Sequence, residues 1–420
     1  MELMTEEFIQ TELGSIPDDW KLCRFEDVMD GFSSGQTPYR EIKRYYTGNI
    51  PWITSGELNY NVITDTIEKI TPEAVQKTTL KIIPKGTFLM AITGLEAAGT
   101  RGSCAITGVN ATTNQSCMAL YPKPGLLITE YLLHFYVRYG DFLAFKYCQG
   151  TKQQSYTGAI AKTLPIILPP TIEEQTAIAT ALSDADALNT ALEKLIAKKR
   201  AIKQGVMQKL LQPKEGWEVK TYGEIFDFLN TATYSRSELV DDGEIRYVHY
   251  GDIHMKWKYF LDVESSKLPS IRESQLKNYS IVKEGDLIMA DASEDYAGIG
   301  KSVEVKNVEQ TKLISGLHTF LLRDEKKILV DGFRGYMHEN TYIKRQFYRL
   351  ATGMKVYGVS KNNLMTVQVP VPSKAEQLRI VSILNDMDSE ILVLEKKLSK
   401  QRQLKQGMMQ NLLTGKIRLV

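Results

Sequence analysis

The sequence predicts an α+β protein in which two mixed, mainly β modules are separated by two long helices that pair as an antiparallel coiled coil. The whole is an internal duplication of pseudo-twofold character. Three observations carry that expectation. Residues 174–213 recur without a gap at 376–415, with 18 of the 40 positions identical. Both copies begin with a helix-start signal and continue with apolar residues at alternating steps of four and three. Ahead of each copy lies a segment of about 150 residues, roughly 14–165 and 214–370, whose strand-sized apolar runs match in order.

The repeat is densest where it matters for pairing. Glu174-Gln175 recurs as Glu376-Gln377, Asp184 and Asp186 as Asp386 and Asp388, Leu192-Glu193-Lys194 as Leu394-Glu395-Lys396, and Lys203-Gln204-Gly205 as Lys405-Gln406-Gly407. A period of 202 positions far exceeds the roughly 20–50 residues of a solenoid unit, so a whole module has been duplicated. Two similar readers on one polypeptide suit a target with two parts.

In chain order, the first module opens at Trp20 and Phe25-Glu26-Asp27-Val28, matched later by Trp217 and Tyr222-Gly223-Glu224-Ile225. Ile50-Pro51-Trp52-Ile53 reads as a strand and corresponds to Ile245-Arg246-Tyr247-Val248. Lys85 to Ala91 and Glu284 to Ala290 each read as a turn feeding a buried strand. Each module closes with a glycine-bearing loop and a short apolar run, Gly158 to Leu164 and Gly358 to Leu364. Pro169-Pro170 and Pro370 with Pro372 then keep the chain extended ahead of a helix.

Thr171-Ile172-Glu173-Glu174 and Ser373-Lys374-Ala375-Glu376 are both capping boxes, with a hydroxyl at N-cap and a carboxylate three residues on to reach back to the N-cap amide. The second helix carries its seam at Ile380, Leu384, Met387, Ile391, Leu394 and Leu398. The first carries it at Ile178, Leu182, Ala185, Leu192 and Ile196, interrupted by Asn189. Forty residues of helix would extend about 60 Å, too long and one-sided to stand alone. Gly205 and Gly407 lie inside the helical pattern, where glycine costs about 1 kcal/mol against alanine. The repeated cost suggests a close approach of two backbones, with a helix end or local kink as the alternative. The lysines crowding the C-terminal part of each helix read as a solvated face complementing the helix dipole. The expected organisation is 1–165 for the first module with an arm at 1–13, 166–213 for the first helix, 214–370 for the second module, and 371–420 for the second helix and tail.

Composition narrows the chemistry. With 420 residues, a net charge of +2 and 24% charged residues, the chain is an ordinary globular composition with ample length for cores. Any anion-binding surface must be local. The acidic N-terminus lacks an apolar signal core, and no run approaches the roughly 18 apolar residues of a membrane span, so a cytoplasmic protein is expected. Cys23, Cys104, Cys117 and Cys148 all fall in the first half without CxxC spacing and read as reduced, mostly buried thiols. The five histidines form no metal-ligand spacing. Gly298-Ile299-Gly300-Lys301-Ser302 resembles half a phosphate-binding loop, but the glycine required five residues before Gly300 is Asp295, and Val303-Glu304-Val305 alternates like a strand. Neither a nucleotide site nor an Asn/Asp-Pro-Pro-aromatic methyltransferase loop is present.

Two variable modules alternating with two repeated helices, the phrase Leu168-Pro169-Pro170-Thr171-Ile172-Glu173-Glu174-Gln175, the tail Leu412-Leu413-Thr414-Gly415-Lys416-Ile417-Arg418-Leu419 and the opening Gly14-Ser15-Ile16-Pro17-Asp18-Asp19-Trp20 together resemble the specificity subunit of type I restriction–modification enzymes. The resemblance spans essentially the whole chain. It implies a non-catalytic, sequence-specific DNA-binding subunit whose modules are target-recognition domains, each reading half of a bipartite, gapped DNA target. The paired helices would set the unread gap and dock two methyltransferase subunits, with two restriction/translocase subunits beyond. S-adenosylmethionine, ATP and Mg would sit on those partners, and no cofactor on this chain. The resemblance and the tail also imply a circularly arranged pseudo-dimer. A system that only methylates, or a coiled-coil assembly scaffold, are the alternative readings.

Phosphates are held by Lys and Arg, and base edges are read by polar side chains in the groove. The candidate DNA-binding residues are therefore sought in loops where the modules diverge. In the first module they are Tyr39, Arg40, Lys43, Arg44, Thr54, Ser55, Arg101, Lys152, Gln153 and Gln154. In the second they are Arg236, Tyr250, His254, Lys256, Lys258, Lys301, Lys355, Tyr357 and Lys361. The helix-pairing set is Ile178, Leu182, Leu192, Ile196 and Gly205 with Ile380, Leu384, Ile391, Leu394, Leu398 and Gly407.

Overall fold

The computed structural model describes residues 7–420 except 98, 151–153, 309–310 and 354–355. The chain divides into two compact units, Met1–Glu193 with Lys396–Val420, and Lys194–Glu395. Each unit holds one module and half of each long helix.

The two modules are built on one topology. In the first, a five-stranded sheet runs in the order Met29–Ser34, Cys117–Pro122, Phe88–Ala91, Cys104–Thr107, Asn61–Ile63. In the second, the order is Asp227–Leu229, Thr319–Arg323, Leu287–Ala290, Ser302–Lys306, Phe260–Asp262. Every neighbouring pair is antiparallel except the last, which is parallel in both. A smaller sheet places Ile50–Ile53 between Thr112–Thr113 (parallel) and Glu68–Ile70 (antiparallel). Its counterpart places Ile245–Val248 between Leu313–Ser315 and Ser270–Ile271 with the same senses. The sequence correspondences thus mark equivalent strands. Phe88–Ala91 and Leu287–Ala290 are buried along their whole length, which is why they read as continuous apolar runs. Both follow a turn whose glycine, Gly86 or Gly285, has positive φ.

Helices accompany these strands in both modules. Thr129–Tyr147 is a 19-residue helix in the first module. In the second it is replaced by Phe333–Met337 and Thr341–Leu350, the latter capped by Asn340. The closing apolar runs are also helical, Gly158–Thr163 and Lys361–Met365, capped by the hydroxyls of Thr157 and Ser360. The strands come just after them, Pro165–Leu168 and Gln368–Val371, paired antiparallel with Lys21–Arg24 and Glu218–Thr221.

The long helices are Ile172–Leu211 and Lys374–Leu412. Half of each capping box forms: Thr171 Oγ1 accepts from Glu174 N at 3.1 Å, and Ser373 Oγ from Glu376 N at 3.3 Å. The carboxylates do not reach back. Glu174 accepts from Arg418 at 2.8 Å, and Arg418 also binds Asp19 at 3.1 and 3.2 Å. Glu376 accepts from Lys214 Nζ at 2.6 Å and Trp217 Nε1 at 3.1 Å. Charge-assisted partners outcompete a neutral amide. The result in the first unit is that the C-terminal tail is tied to the start of the first module, where a Cβ on Gly415 would stand 2.5 Å from Pro17 Cγ.

Within each unit the helix segments run antiparallel, clipped by pairs that repeat at the 202-residue period. Lys405–Asp186 (2.5 Å) and Arg402–Glu193 (2.6 Å) hold the first unit. Lys203–Asp388 and Arg200–Glu395 (2.6 Å) hold the second. Three lysines read as solvated, Lys203, Lys405 and Lys199 (2.6 Å from Glu390), are therefore pairing residues. Of the apolar set, Ile178 and Leu182 join the first module's core and Ile380 and Leu384 the second's, all fully or almost fully buried. Leu192, Ile196, Ile391 and Leu398 are buried and Leu394 half-buried. Asn189, where the second copy has Ile391, is buried as well.

Gly205 and Gly407 do not mediate a close approach: a Cβ at either would meet nothing within 4 Å. What remains is their helix penalty. Gly205→Ala and Gly407→Ala should each stabilise the protein by about 1 kcal/mol, read as a rise in the denaturation midpoint. A fall at either site would restore the close-packing idea.

Cys104 and Cys117 are buried, Cys23 and Cys148 half-buried, and all four are free thiols. Among the described residues, no helix is long and apolar enough to cross a membrane.

Candidate nucleic-acid interface

In the first unit, the strand Ile50–Ile53 delivers the chain to a tight turn at Thr54. The Glu57 carboxylate accepts from both Thr54 N and Thr54 Oγ1 at 2.8 Å, and Ser55 starts the turn half-buried. The basic stretch before this strand is largely committed internally. Arg40 makes two bonds to Glu68, at 2.5 and 2.9 Å, and its guanidinium stacks 4.5 Å from the Tyr46 ring centre and 4.9 Å from that of Trp52. Arg44 holds Glu73 at 3.0 and 3.3 Å. Tyr39 and Lys43 stay exposed, without a side-chain partner among the described residues. Arg101 donates to the carbonyls of Leu95 (3.0 Å) and Glu96 (3.2 Å), stapling its own loop. Gln154 is bound through its backbone N to Glu96 at 2.9 Å. Lys152 and Gln153 lie outside the described residues.

In the second unit, His249 and Tyr250 follow the equivalent strand, Ile245–Val248. The buried Asp252 fixes Arg236 at 2.9 Å and Lys256 at 3.1 Å. His254 Nε2 is 2.9 Å from the Ala292 carbonyl, and Lys301 Nζ donates to the His254 carbonyl at 2.8 Å. Tyr250, His254 and Lys301 thus come together in one cleft of about 510 Å³, walled also by Met255, Ser293 and Asp295. Asp295 accepts from Gly298 N, and Ser302–Lys306 is a strand. The Gly-Lys-Ser resemblance to a phosphate loop is accordingly a turn into a sheet, with its lysine already bonded. Lys258 is exposed beside Tyr259, Lys361 lies over the Phe228 ring at 5.2 Å, and Tyr357 packs edge-on against Tyr296. Lys355 lies outside the described residues.

The structure therefore sorts the candidates. Tyr250, His254 and Lys301 share a cleft; Arg40, Arg44, Arg101, Arg236 and Lys256 are held by acids or carbonyls that position their heads; Tyr39, Lys43, Lys258 and Lys361 have no ion pair among the described residues. The acids Glu68, Glu73 and Asp252 that hold these heads are not marked by a basic-residue pattern. Only Asp252, four residues before Lys256, left a sequence signal. Two other histidines are neutral core groups: burial pushes His134 down to about 4 and His338 down to about 3. His134 bonds Ser183 at 2.9 Å; in the second unit, 202 positions on, Tyr336 bonds Asn385 at 3.0 Å. Among the described residues no group of His, Cys, Asp and Glu is arranged to hold a metal.

Comparison with known proteins gives a consistent result. The family model described as "Type I restriction modification DNA specificity domain" matches residues 17–204 and again 214–403. The chain is 29% identical over 316 residues to the type I restriction enzyme MjaIX specificity subunit of Methanocaldococcus jannaschii, covering 69% of this chain and 66% of that one. It is 23% identical to the MjaVIII specificity subunit of the same organism, over 96% of this chain and 94% of that one. Among solved structures, the S subunit of a type I restriction-modification system from M. genitalium superposes with a TM-score of 0.55 at 17% identity, covering 97% of this chain and 99% of that one. A chain from a study of assembly and conformational transition in the type I R-M system reaches 0.60 at 14% identity, covering 96% and 99%.

Proposed function

The chain belongs to the type I restriction modification DNA specificity family, and from that premise we propose how its parts divide the work of DNA recognition in such a system. Each module reads one half of a bipartite, gapped target. The two long helices set the unread interval and dock two adenine methyltransferase subunits, with two restriction/translocase subunits completing the assembly. The chain itself performs no chemistry. S-adenosylmethionine, ATP and Mg belong to the partners.

One observation carries this reading: the same sheet topology occurs twice in one chain, while the exposed side chains at equivalent loop positions differ. A shared fold with divergent loops is what two readers of unlike half-sites require, because phosphate contacts position a protein and base-edge contacts specify it. Much of the arginine in those loops is already bonded within the module. That pre-organises the donors, and preorganised donors lose less freedom on binding.

The test is a long-read methylation map of the source strain with and without this gene. Deletion is expected to remove one gapped adenine-methylation motif and leave all others. An unchanged map, with the gene expressed and the partner subunits present, would overturn the proposal.

A further inference from the structure

The duplication supplies an internal control for which residues the fold needs and which it does not. In the first module, Ile92 N donates to the Ser116 carbonyl at 2.9 Å, and the Ile92 carbonyl accepts from Tyr156 N at 2.9 Å. In the second, Asp291 N donates to the His318 carbonyl at 3.1 Å, and the Asp291 carbonyl accepts from Val359 N at 3.0 Å. Ile53 O accepts from Asn114 N just as Val248 O accepts from Gly316 N. The backbone frame is therefore the same, and Ile92, Ser116, Thr54 and Ser55 stand where the second module has Asp291, His318, His249 and Tyr250.

What the frame carries is different. His318 Nδ1 lies 3.3 Å from Asp291 Oδ1, with the imidazole 52% and the carboxylate 30% exposed. Burial drives the Asp291 carboxyl up from its ordinary range and the imidazole draws it back. His318 also sits at φ +57, in the left-handed region a side chain pays to occupy. Its ring meets Tyr250 edge-on at 5.5 Å, and Tyr250 in turn packs on His249 at 4.7 Å. Tyr250 also lines the cleft described above. A carboxylate beside Nδ1 favours the tautomer with its proton on that nitrogen, which turns Nε2 outward as the acceptor. No partner for that nitrogen occurs among the described residues.

Resting on the recognition role proposed above, we infer that His318, oriented by Asp291, is a specificity-determining residue of the second module and reads the exocyclic amine of a base in the major groove. Only adenine N6 and cytosine N4 present such a donor there. His249 narrows the choice. Its Nδ1 accepts from Gly251 N at 3.1 Å, so its proton resides on Nε2 as a donor. Adenine N7 can accept that donor beside its own amine, and cytosine offers no such acceptor. The expected base is adenine. Asp291 is a positioning residue that acts through the imidazole.

The test uses the full chain assembled with its modification subunits and a duplex carrying the mapped motif, each base pair of both half-sites being replaced in turn. His318→Ser, which installs the first module's residue, should reduce discrimination roughly tenfold at one adenine of one half-site. The other half-site should be unaffected. Asp291→Asn should act at the same position more weakly. Replacing that adenine by purine, which lacks the amine, should weaken wild-type binding roughly tenfold and leave His318→Ser unaffected. His318→Gly, which suits the positive φ and carries no acceptor, covers the case of a serine variant that fails to assemble. Unchanged discrimination at every position, or a uniform weakening on all duplexes, overturns the inference. A wild-type complex with no gapped preference would instead sink the recognition reading itself.

Discussion

Replacing Gln377 with leucine should cost roughly 3–5 kcal/mol of stability, a loss confined to the second unit. The side chain is fully buried. Its oxygen accepts from Val330 N at 2.8 Å, and its amide donates to the Ile328 carbonyl at 3.2 Å and the Pro372 carbonyl at 2.9 Å. One residue near the start of the long helix thus satisfies three backbone groups in two other segments. Leucine fills nearly the same volume and bonds none of them, so each group would be left buried and unpaired, the costly half of the hydrogen-bond balance. Gln175 does the equivalent in the first unit, accepting from Ile128 N at 3.1 Å and donating to the Leu126 carbonyl at 2.9 Å. With one backbone carbonyl fewer to satisfy, Gln175→Leu should cost less. Chemical denaturation, with hydrogen exchange to locate the loss, would check both. A Gln377→Leu midpoint within error of wild type would show that solvent reaches these groups.

The identity of Gln175 with Gln377 was visible in the sequence, but its reason was not, because a glutamine's partners are set by which loop folds over it. The same limit governs the rest. Periodicity gave the helices and the buried strands because each depends on residues close together in the chain: Phe88–Ala91 is buried along its length and reads as an apolar run. The helix Thr129–Tyr147 leaves a weak periodic signal because much of its surface is buried in the module, which blurs the polar face that marks an amphipathic helix. The capping boxes were half legible. Hydroxyl and carboxylate spacing is local, but Arg418, which claims Glu174 across 244 positions, is not.

The candidate interface follows the same rule. Basic residues in divergent loops could be named from letters alone. Whether Arg40 or Arg44 is available depended on Glu68 and Glu73, 28 and 29 positions away. The His318–Asp291 pair combines residues 27 positions apart (318 − 291) that meet only because two strands of the sheet end side by side. Comparison of the two modules finds such pairs, since a residue that departs from its equivalent while the backbone bonds stay the same is free of the fold's demands.

Inserting seven residues into each long helix, between Glu193 and Lys194 and between Glu395 and Lys396, should lengthen the unread gap of the target by about 3 base pairs while both half-sites keep their sequence. The size follows from geometry: seven residues at 1.5 Å add about 10 Å of helix, and each base pair occupies about 3.4 Å of duplex. Seven is the required number because it returns an apolar seam to its starting face, so the added segments can pair with each other. The position matters equally. The clips Lys405–Asp186 and Arg402–Glu193 lie wholly to one side of it in sequence, and Lys203–Asp388 and Arg200–Glu395 wholly to the other. No pair within either unit is therefore broken. Inserting into one helix alone would leave an unmatched heptad and should abolish methylation rather than shift its spacing. A methylation map of strains carrying the double and single insertions reads both outcomes. Altered half-site sequences in the double insertion would mean that the helices shape the readers themselves, and an unchanged gap would mean that something other than helix length sets the interval.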